Sequence, residues 1–152
     1  MTEQNEQQVI KQTVEELLAK LDVNATADVS VSKEGADVVL SSEDSGILIG
    51  YHGEILEALQ LILSLMISKK LGKFIRISVE VGDYKKNRSE YLQRLALQTK
   101  ERVLQEGRAH TLSSLKSWER RVIHLLLSND DRVTTESMGE GKDRVLVVKP
   151  RE

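Results

Sequence analysis

Two glycines three residues apart, Gly50 and Gly53, enclose Tyr51 and His52 between a short apolar segment and a long apolar helix. Glycine at both positions lets the backbone turn sharply and lets a bulky ligand approach the main chain closely. The first N–H groups of the following helix have no partner within the helix and carry partial positive charge, which suits a phosphate group. The alternative is a tight turn between two helices, in which glycine serves only the backbone conformation.

A second candidate pair, Arg120 and His124, lies four residues apart in a segment with helical apolar spacing. Residues four apart share one helix face, so the two side chains are expected to converge. At about 100° per residue, the opposite side of the wheel is apolar (Trp118, Val122, Leu125 and Leu126). An Arg–His pair that points away from the apolar side suits a phosphate or a stacked base. The alternative is a surface arginine beside a histidine that caps nearby carbonyls.

The spacing of apolar residues predicts the elements that position the glycine loop. Residues 3–21 form an amphipathic helix, and residues 29–40 alternate in polarity around a turn at 33–35, which predicts a β-hairpin. The helix after the loop covers residues 54–71 and is apolar on most sides, so we expect it to be heavily buried. Residues 74–81 then alternate as a strand.

Gly82 and Asp83 mark a predicted boundary that divides the chain into domains 1–82 and 83–152. The second domain is predicted to contain two helices and three strands, in the order helix 84–105, strand 109–112, helix 117–127 and strands 132–137 and 144–149. Helices and strands in this order predict an α+β fold class.

Composition excludes several classes of function. The chain has 152 residues, no Cys and a formal net charge of −2, so disulfides, zinc fingers, iron–sulfur clusters and thiol nucleophiles are absent. Residues 1–82 carry a net charge of −6 and residues 83–152 carry +4, which indicates a polyanionic partner or, as the alternative that charge alone leaves open, a solvated basic helix face balanced by acidic residues elsewhere. The polar start is unlike a signal peptide, and the longest apolar run is too short to span a bilayer. We therefore predict a cytoplasmic protein without membrane insertion.

No catalytic or metal-binding constellation stands out. The three histidines, His52, His110 and His124, are scattered without ligand spacing, so no metal and no cofactor is predicted. The sequence contains no P-loop or dinucleotide fingerprint, and we predict no small-molecule substrate. The chain is therefore predicted not to be an enzyme, with a nuclease that uses His124 as the weaker alternative.

The order helix, hairpin, helix, Gly-x-x-Gly loop, helix and strand over residues 3–82 resembles the type II KH domain of bacteria. The helix with Arg120 and His124, followed by a Thr/Ser-rich strand, a glycine turn and a strand that begins with Arg144, is similar to the R-3-H domain. A KH domain directly followed by an R-3-H domain resembles the bacterial Jag family, also called KhpB. Residues 82–85 and 118–121 match the junction and the helix start of that family, so the resemblance covers nearly the whole chain.

The resemblance implies a type II KH-like domain followed by a small R-3-H-like α/β domain, and non-catalytic binding of single-stranded RNA or single-stranded DNA. It implies contacts from the loop (Gly50, Tyr51, His52 and Gly53) and from Arg120 and His124, with support from other basic residues (Lys85, Lys86, Arg88, Arg121 and Arg144). It further implies a bacterial post-transcriptional regulator linked to cell elongation, envelope growth or sporulation, with a small single-KH-domain protein as a partner. The alternative is a protein-interaction adaptor of the cell-envelope machinery.

Two features differ from the family pattern. Longer members carry an extra N-terminal domain, so this chain is expected to be a short form without it. KH loops usually carry Lys or Arg between the glycines, where this chain has Tyr51 and His52. Basic residues near the end of the long helix are candidates to restore the missing charge (Lys69, Lys70, Lys73 and Arg76).

Overall fold

The computed structural model describes residues 2–152, which form two units. The first unit ends at Lys85 and the second runs from Lys86 to Glu152. The predicted boundary lies at Gly82, whereas the structural division falls three residues later, within the first turn of a long helix that begins at Tyr84.

The first unit has the order α-β-β-α-α-β. Its elements are α1 (Glu3–Lys20), β1 (Thr26–Ser32), β2 (Gly35–Ser41), α2 (Ser45–Ile49), a 3₁₀ turn (Tyr51–Gly53), α3 (Glu54–Leu71) and β3 (Ile77–Val81). β1 pairs antiparallel with β2, which pairs parallel with β3. The predicted strand 74–81 is shorter at its start, because Phe74 and Arg76 lie in a loop that enters the sheet only at Ile77.

Alternation along the strands builds the core of the first unit. In β2, Ala36, Val38 and Leu40 are buried and the residues between them are exposed, so one face of the sheet is covered by helices. Val38 lies opposite Val29 in β1 and Val79 in β3, so the three valines form one apolar row across the sheet. A shift of one residue in either pairing would move the buried residues of that strand to the exposed face.

Helix α3 lies across this sheet and begins at the glycine loop. Four of its residues are buried (Leu56, Leu59, Leu63 and Ile67), and full burial of each such side chain stabilises the fold by roughly 1.5–3 kcal/mol. By length and apolar composition alone, the segment Ser45–Leu71 could cross a membrane. The structure breaks that segment at His52, whose φ of +50° is not helical, and uses its second part as the core helix of the unit.

The second unit is a small α+β module. Its elements are α4 (Tyr84–Glu106, which starts in the last residues of the first unit), β4 (His110–Leu112), α5 (Ser117–Leu127), β5 (Val133–Met138), a 3₁₀ turn (Gly141–Asp143) and β6 (Val145–Pro150). The strands form an antiparallel sheet in the order β4-β6-β5. Its core joins α4, α5 and the sheet through buried residues such as Leu92, Ile123, Val133 and Val148. The predicted α+β class is confirmed.

Candidate nucleic-acid interface

Both glycines of the loop adopt backbone conformations that favour glycine. Gly50 has φ +69° and Gly53 has φ +77°. A Cβ atom on Gly50 would lie 2.5 Å from Cγ1 of Ile55, and one on Gly53 would lie 3.0 Å from the ring of Tyr84. The loop is therefore also a tight turn with positive φ, the alternative interpretation of the two glycines, and a side chain at either position would be strained and would displace Ile55 or Tyr84.

The surface of the loop is formed by the two residues between the glycines. Tyr51 is 67% exposed, and its ring meets that of His52 edge to face, with centroids 4.0 Å apart and an interplanar angle of 84°. Gly53 itself is buried. The loop therefore presents an aromatic side chain, a histidine and the start of α3 to an incoming strand.

The charges near the loop weaken its attraction for a phosphate. Glu54 and Glu57 lie in the first turn of α3, where their negative charges oppose the attraction of the helix N-terminus for an anion. The basic residues considered as compensation lie at the other end of α3, an 18-residue helix about 27 Å long. Lys70 pairs there with Glu16 at 2.8 Å, and Lys73 pairs with Glu6. These lysines do not line the loop.

In the second unit, the side of helix α5 that packs against the core is not the side on which most of its apolar residues lie. The buried residues are Glu119, Ile123 and Leu127. On the apolar side of the wheel, Trp118 is 45% exposed, Leu125 is 55% exposed and Leu126 is 44% exposed. The helix has two apolar sides, and the sheet covers only one of them. We call the other, formed by Trp118, Val122, Leu125 and Leu126, the α5 apolar face.

Arg120 and His124 lie on one wall of a cleft of 640 Å³ between α5 and the β5–β6 hairpin, which we call the basic cleft. Two further predicted residues, Arg121 and Arg144, also line it. The remaining lining residues are small, polar or apolar (Ser117, Thr135, Ser137, Gly141 and Leu146). Three arginines, one histidine and three hydroxyl groups therefore surround a space whose lining, in the part of the chain that the structure describes, contains no carboxylate.

Arg120 has a structural role as well as a place in the cleft. Its Nη1 donates to the carbonyl of Leu115 at 2.6 Å, and its Nη2 donates to Oγ of Ser117 at 3.1 Å. These bonds hold the segment that enters α5 and fix the plane of the guanidinium. The remaining N–H donors of this always-charged group are the ones that can serve a ligand.

His124 and Arg144 are positioned by hydroxyl groups of β5. The Nδ1 atom of His124 lies 2.5 Å from Oγ1 of Thr135, and Nε of Arg144 donates to Oγ of Ser137 at 2.8 Å. In residues 2–152, Nε2 of His124 forms no protein hydrogen bond, and Arg121 forms neither a hydrogen bond nor an ion pair. Thr135 and Ser137 lie two residues apart and share one face of the strand. Neither Thr135 nor Ser137 was predicted as a site residue. The signal that could have identified them is the alternation of hydroxyl residues in the Thr/Ser-rich segment, which places both on one face of the strand.

Arg88, predicted as a supporting cation, has a different position. Its Nε donates to Oε1 of Glu119 at 2.6 Å and its Nη2 donates to Oε2 at 3.2 Å. Glu119 is fully buried and also accepts the backbone N–H of Lys116 at 3.0 Å, as in a capping box. The charge of Arg88 is thus neutralised inside the second unit, and we leave it out of the surface that contacts a ligand.

Lys85 and Lys86 remain surface cations on the first turn of α4, on either side of the division between the units. Nζ of Lys85 lies 3.3 Å from Oγ of Ser78 and 3.9 Å from a carboxylate oxygen of Glu80. Lys86 is exposed. Among residues 2–152, no group of three or more His, Asp or Glu side chains is arranged to hold a metal ion.

Comparison with known proteins covers both units. The family model of the KhpA/KhpB KH domain matches residues 7–81, and the model of the R-3-H domain matches residues 90–150. The chain is 33% identical over 135 residues to a Streptococcus pneumoniae serotype 2 protein named RNA-binding protein KhpB, which covers 89% of this chain and 41% of that protein. Proteins of the same name from Clostridium symbiosum and Bacillus subtilis are 34% and 33% identical, over 83% and 90% of this chain.

The chain spans 41% of the length of the Streptococcus relative, 59% of the Clostridium relative and 65% of the Bacillus relative. The two family models fall on the two structural units in the same order, one on each. The glycine loop lies within the first match, and the basic cleft lies within the second. The chain therefore belongs to the KhpB family, in which a KhpA/KhpB-type KH domain is followed by an R-3-H domain.

Proposed function

We propose that this chain is a non-catalytic protein that binds single-stranded RNA. The observation that carries the proposal is the basic cleft, where Arg120, Arg121, Arg144 and His124 converge and where none of the lining residues among positions 2–152 carries a carboxylate. The family supports it, because the relatives are named RNA-binding proteins. The glycine loop is proposed as a second and weaker contact, since its cations are few and Glu54 and Glu57 lie close by.

In the cleft, arginine donors and hydroxyl groups suit phosphate oxygens, which accept hydrogen bonds and carry charge. At the loop, Tyr51 offers an exposed ring to a base or sugar, and the ring of His52 packs edge to face against it. Single-stranded RNA exposes both its phosphates and its bases, so it offers partners for either kind of contact. DNA of the same length offers the same phosphates without the 2′-hydroxyl groups.

The cleft is tested by fluorescence anisotropy of a labelled single-stranded RNA with the full chain. Arg121→Ala combined with His124→Ala removes two side chains of the cleft at the cost of one hydrogen bond, the one between His124 and Thr135, whereas Arg120→Ala would remove the bonds to Leu115 and Ser117. Binding is expected to weaken, and the slope of log affinity against log salt is expected to fall by about 1. Arg94→Ala, an exposed arginine of α4 outside the cleft, is the matched control and should change neither quantity. Equal loss in both variants would refute the assignment of the cleft.

The loop is tested with Tyr51→Asp combined with His52→Asp. Substitution of Gly53 would confuse binding with folding, because a Cβ atom there meets Tyr84. The two new carboxylates repel phosphate at exposed or half-exposed positions. The control adds the same charge at exposed positions of α1, as Gln8→Asp with Gln12→Asp. RNA binding that is equally strong in both double variants would exclude the loop as a contact.

In cells, we propose a cytoplasmic post-transcriptional regulator linked to cell elongation, envelope growth or sporulation. The family membership is the support for this finer role. The test is replacement of the natural protein by the Arg121→Ala, His124→Ala form, with cell length and sporulation frequency as readouts. A normal phenotype at normal protein level would contradict a role that acts through RNA.

A second candidate function is that of an adaptor that docks a small single-KH-domain protein. The observation that favours it is a stripe of exposed apolar residues on α3 at helical spacing (Ala58, Leu61, Ile62 and Leu65). Leu61 is 62% exposed and Leu65 is 64% exposed, which is unusual for leucine on a surface with no partner. Leu61→Glu should abolish capture of the partner and leave RNA binding by the cleft intact. Loss of the partner after ribonuclease treatment would instead show an RNA-mediated contact.

A further inference from the structure

The α5 apolar face exposes the only tryptophan of the chain. Trp118 is 45% exposed and Leu125, two turns later on the same face, is 55% exposed, while Val122 between them is partly buried. Because burial of aromatic area is stabilising, an indole with this exposed fraction would gain free energy from a partner that covers it. The surface therefore has the composition of a contact for an apolar or aromatic group.

This face adjoins the basic cleft. Around the helix, Arg121 lies between the cleft residue His124 and the ring of Trp118, about 60° from each. Trp118 and Arg121 are three residues apart, which brings their Cβ atoms to about 5–6 Å. Ser117, the neighbour of Trp118, is itself a lining residue of the cleft. The apolar face thus begins where the cationic lining ends.

On the basis of the proposed function, we infer that Trp118 is a stacking platform for a base of the RNA strand whose phosphate lies in the basic cleft. Every base has an aromatic face, and stacking on Trp or Tyr is largely independent of sequence. Arg121 stands at the boundary, where it can bond a phosphate while the adjoining base covers the indole. The proposal commits the α5 apolar face to a nucleobase rather than to a protein partner, because cations flank the face on the side of the cleft.

The single tryptophan gives a local readout of this contact. Titration of the full chain with a single-stranded oligoadenylate should quench the fluorescence of Trp118, with the same midpoint as the anisotropy of the labelled RNA. At saturation, acrylamide should reach the indole less readily than in the free protein. If the RNA binds but the tryptophan emission and its acrylamide access are unchanged, the platform is refuted and the proposed function stands.

Substitution separates stacking from phosphate binding. Trp118→Ala should weaken oligoadenylate binding by about 5- to 150-fold, the range for loss of one base–aromatic stack. Trp118→Phe should retain most of the affinity. An abasic oligonucleotide, which has the sugar–phosphate chain without bases, should bind the wild-type chain and Trp118→Ala equally well. Leu97→Ala, which removes a 53% exposed apolar side chain from α4, is the control and should leave both ligands unaffected.

The remaining outcomes are also decisive. If Trp118→Ala weakens the abasic oligonucleotide as much as oligoadenylate, the residue acts by shaping α5, and the stacking role is wrong. If the emission of the free protein shifts to the blue with rising protein concentration, a second copy of the chain covers the face and the inference fails. If the wild-type chain binds neither oligonucleotide, the proposed function fails together with the inference.

Discussion

Truncation of Arg88 tests how the second unit holds the helix that carries the basic cleft. Glu119 is fully buried, and Arg88 meets both of its carboxylate oxygens, at 2.6 and 3.2 Å. In Arg88→Ala the carboxylate would keep the backbone N–H of Lys116 but lose its charged partner. Removal of one member of a buried ion pair costs about 3–5 kcal/mol, because the remaining charge stays desolvated.

The size of the unit makes this loss large. The span Lys86–Glu152 has about 67 residues, and at the usual 0.05–0.15 kcal/mol per residue its free energy of unfolding is about 3–10 kcal/mol. Arg88→Ala should therefore remove a third or more of it and lower the unfolding midpoint by about 12 °C or more. Loss of the contact between Arg88 and the ring of Tyr91, 4.7 Å from the centroid, adds a smaller term.

The assay uses the position of the only tryptophan, since Trp118 lies in the second unit and its emission reports unfolding there. Urea titrations compare the wild-type chain, Arg88→Ala, Glu119→Gln and the double variant, with Arg121→Ala as the control for loss of an exposed arginine. The double-mutant cycle should give a coupling energy above about 1 kcal/mol. An Arg88→Ala chain that unfolds within about 0.5 kcal/mol of wild type would refute the role given to this pair.

Three further changes have expected outcomes. Gly53→Ala should lower the free energy of unfolding of the first unit by about 1–2 kcal/mol, because position 53 has a positive φ and a Cβ atom there would contact Tyr84. Gly46→Ala, with open space around its Cβ position, should be neutral or stabilising by up to about 1 kcal/mol. Circular dichroism melts in which Gly46→Ala is the less stable variant would contradict the loop geometry. Arg120→Lys keeps the charge but cannot reproduce both hydrogen bonds, to Leu115 and to Ser117. The free energy of unfolding, measured by urea titration of Trp118 emission, should therefore fall by about 1 kcal/mol. An unchanged urea midpoint would show that the two bonds do not stabilise the unit. Hydrogen bonds from the Arg132 side chain and backbone, together with Lys100, hold the pKa of Asp130 well below its usual range. The carboxylate therefore stabilises the fold at neutral pH, and this contribution is lost as the pH falls. The melting temperature of the wild-type chain should be higher than that of Asp130→Asn at pH 7, and the difference should shrink below the ordinary aspartate pKa of about 4.

Much of the fold follows from local patterns in the sequence. The alternation of Val29, Val38 and Val79 with polar neighbours predicts strands with one buried face, and the turn at Gly35 and the stop at Gly72 delimit their elements. The apolar density of residues 54–71 predicts a helix that is central to a core. Alternation and apolar density depend only on residues within one strand or helix, so they can be recognised in a single sequence.

The candidate site was harder to predict where it depends on which side of an element the rest of the fold covers. Helix α5 has apolar residues on two sides, and nothing local decides that Ile123 and Leu127 are buried while Trp118 and Leu125 are exposed. The partner of Arg88 is 31 residues away, so its charge looked available for a ligand. The carboxylate partners of Lys70 and Lys73 likewise could not be predicted, since Glu16 and Glu6 lie 54 and 67 residues away from them in the chain.

Photo-crosslinking of a thiouridine-substituted single-stranded RNA to the full chain, followed by identification of the crosslinked peptides, locates the RNA on the protein surface. Adducts are expected to concentrate on the peptide with Trp118 and Arg121, with a second and weaker set on the peptide with Tyr51 and His52. Adducts confined to other surfaces, such as the far end of α3 around Lys69–Arg76, would contradict the proposed placement of the RNA.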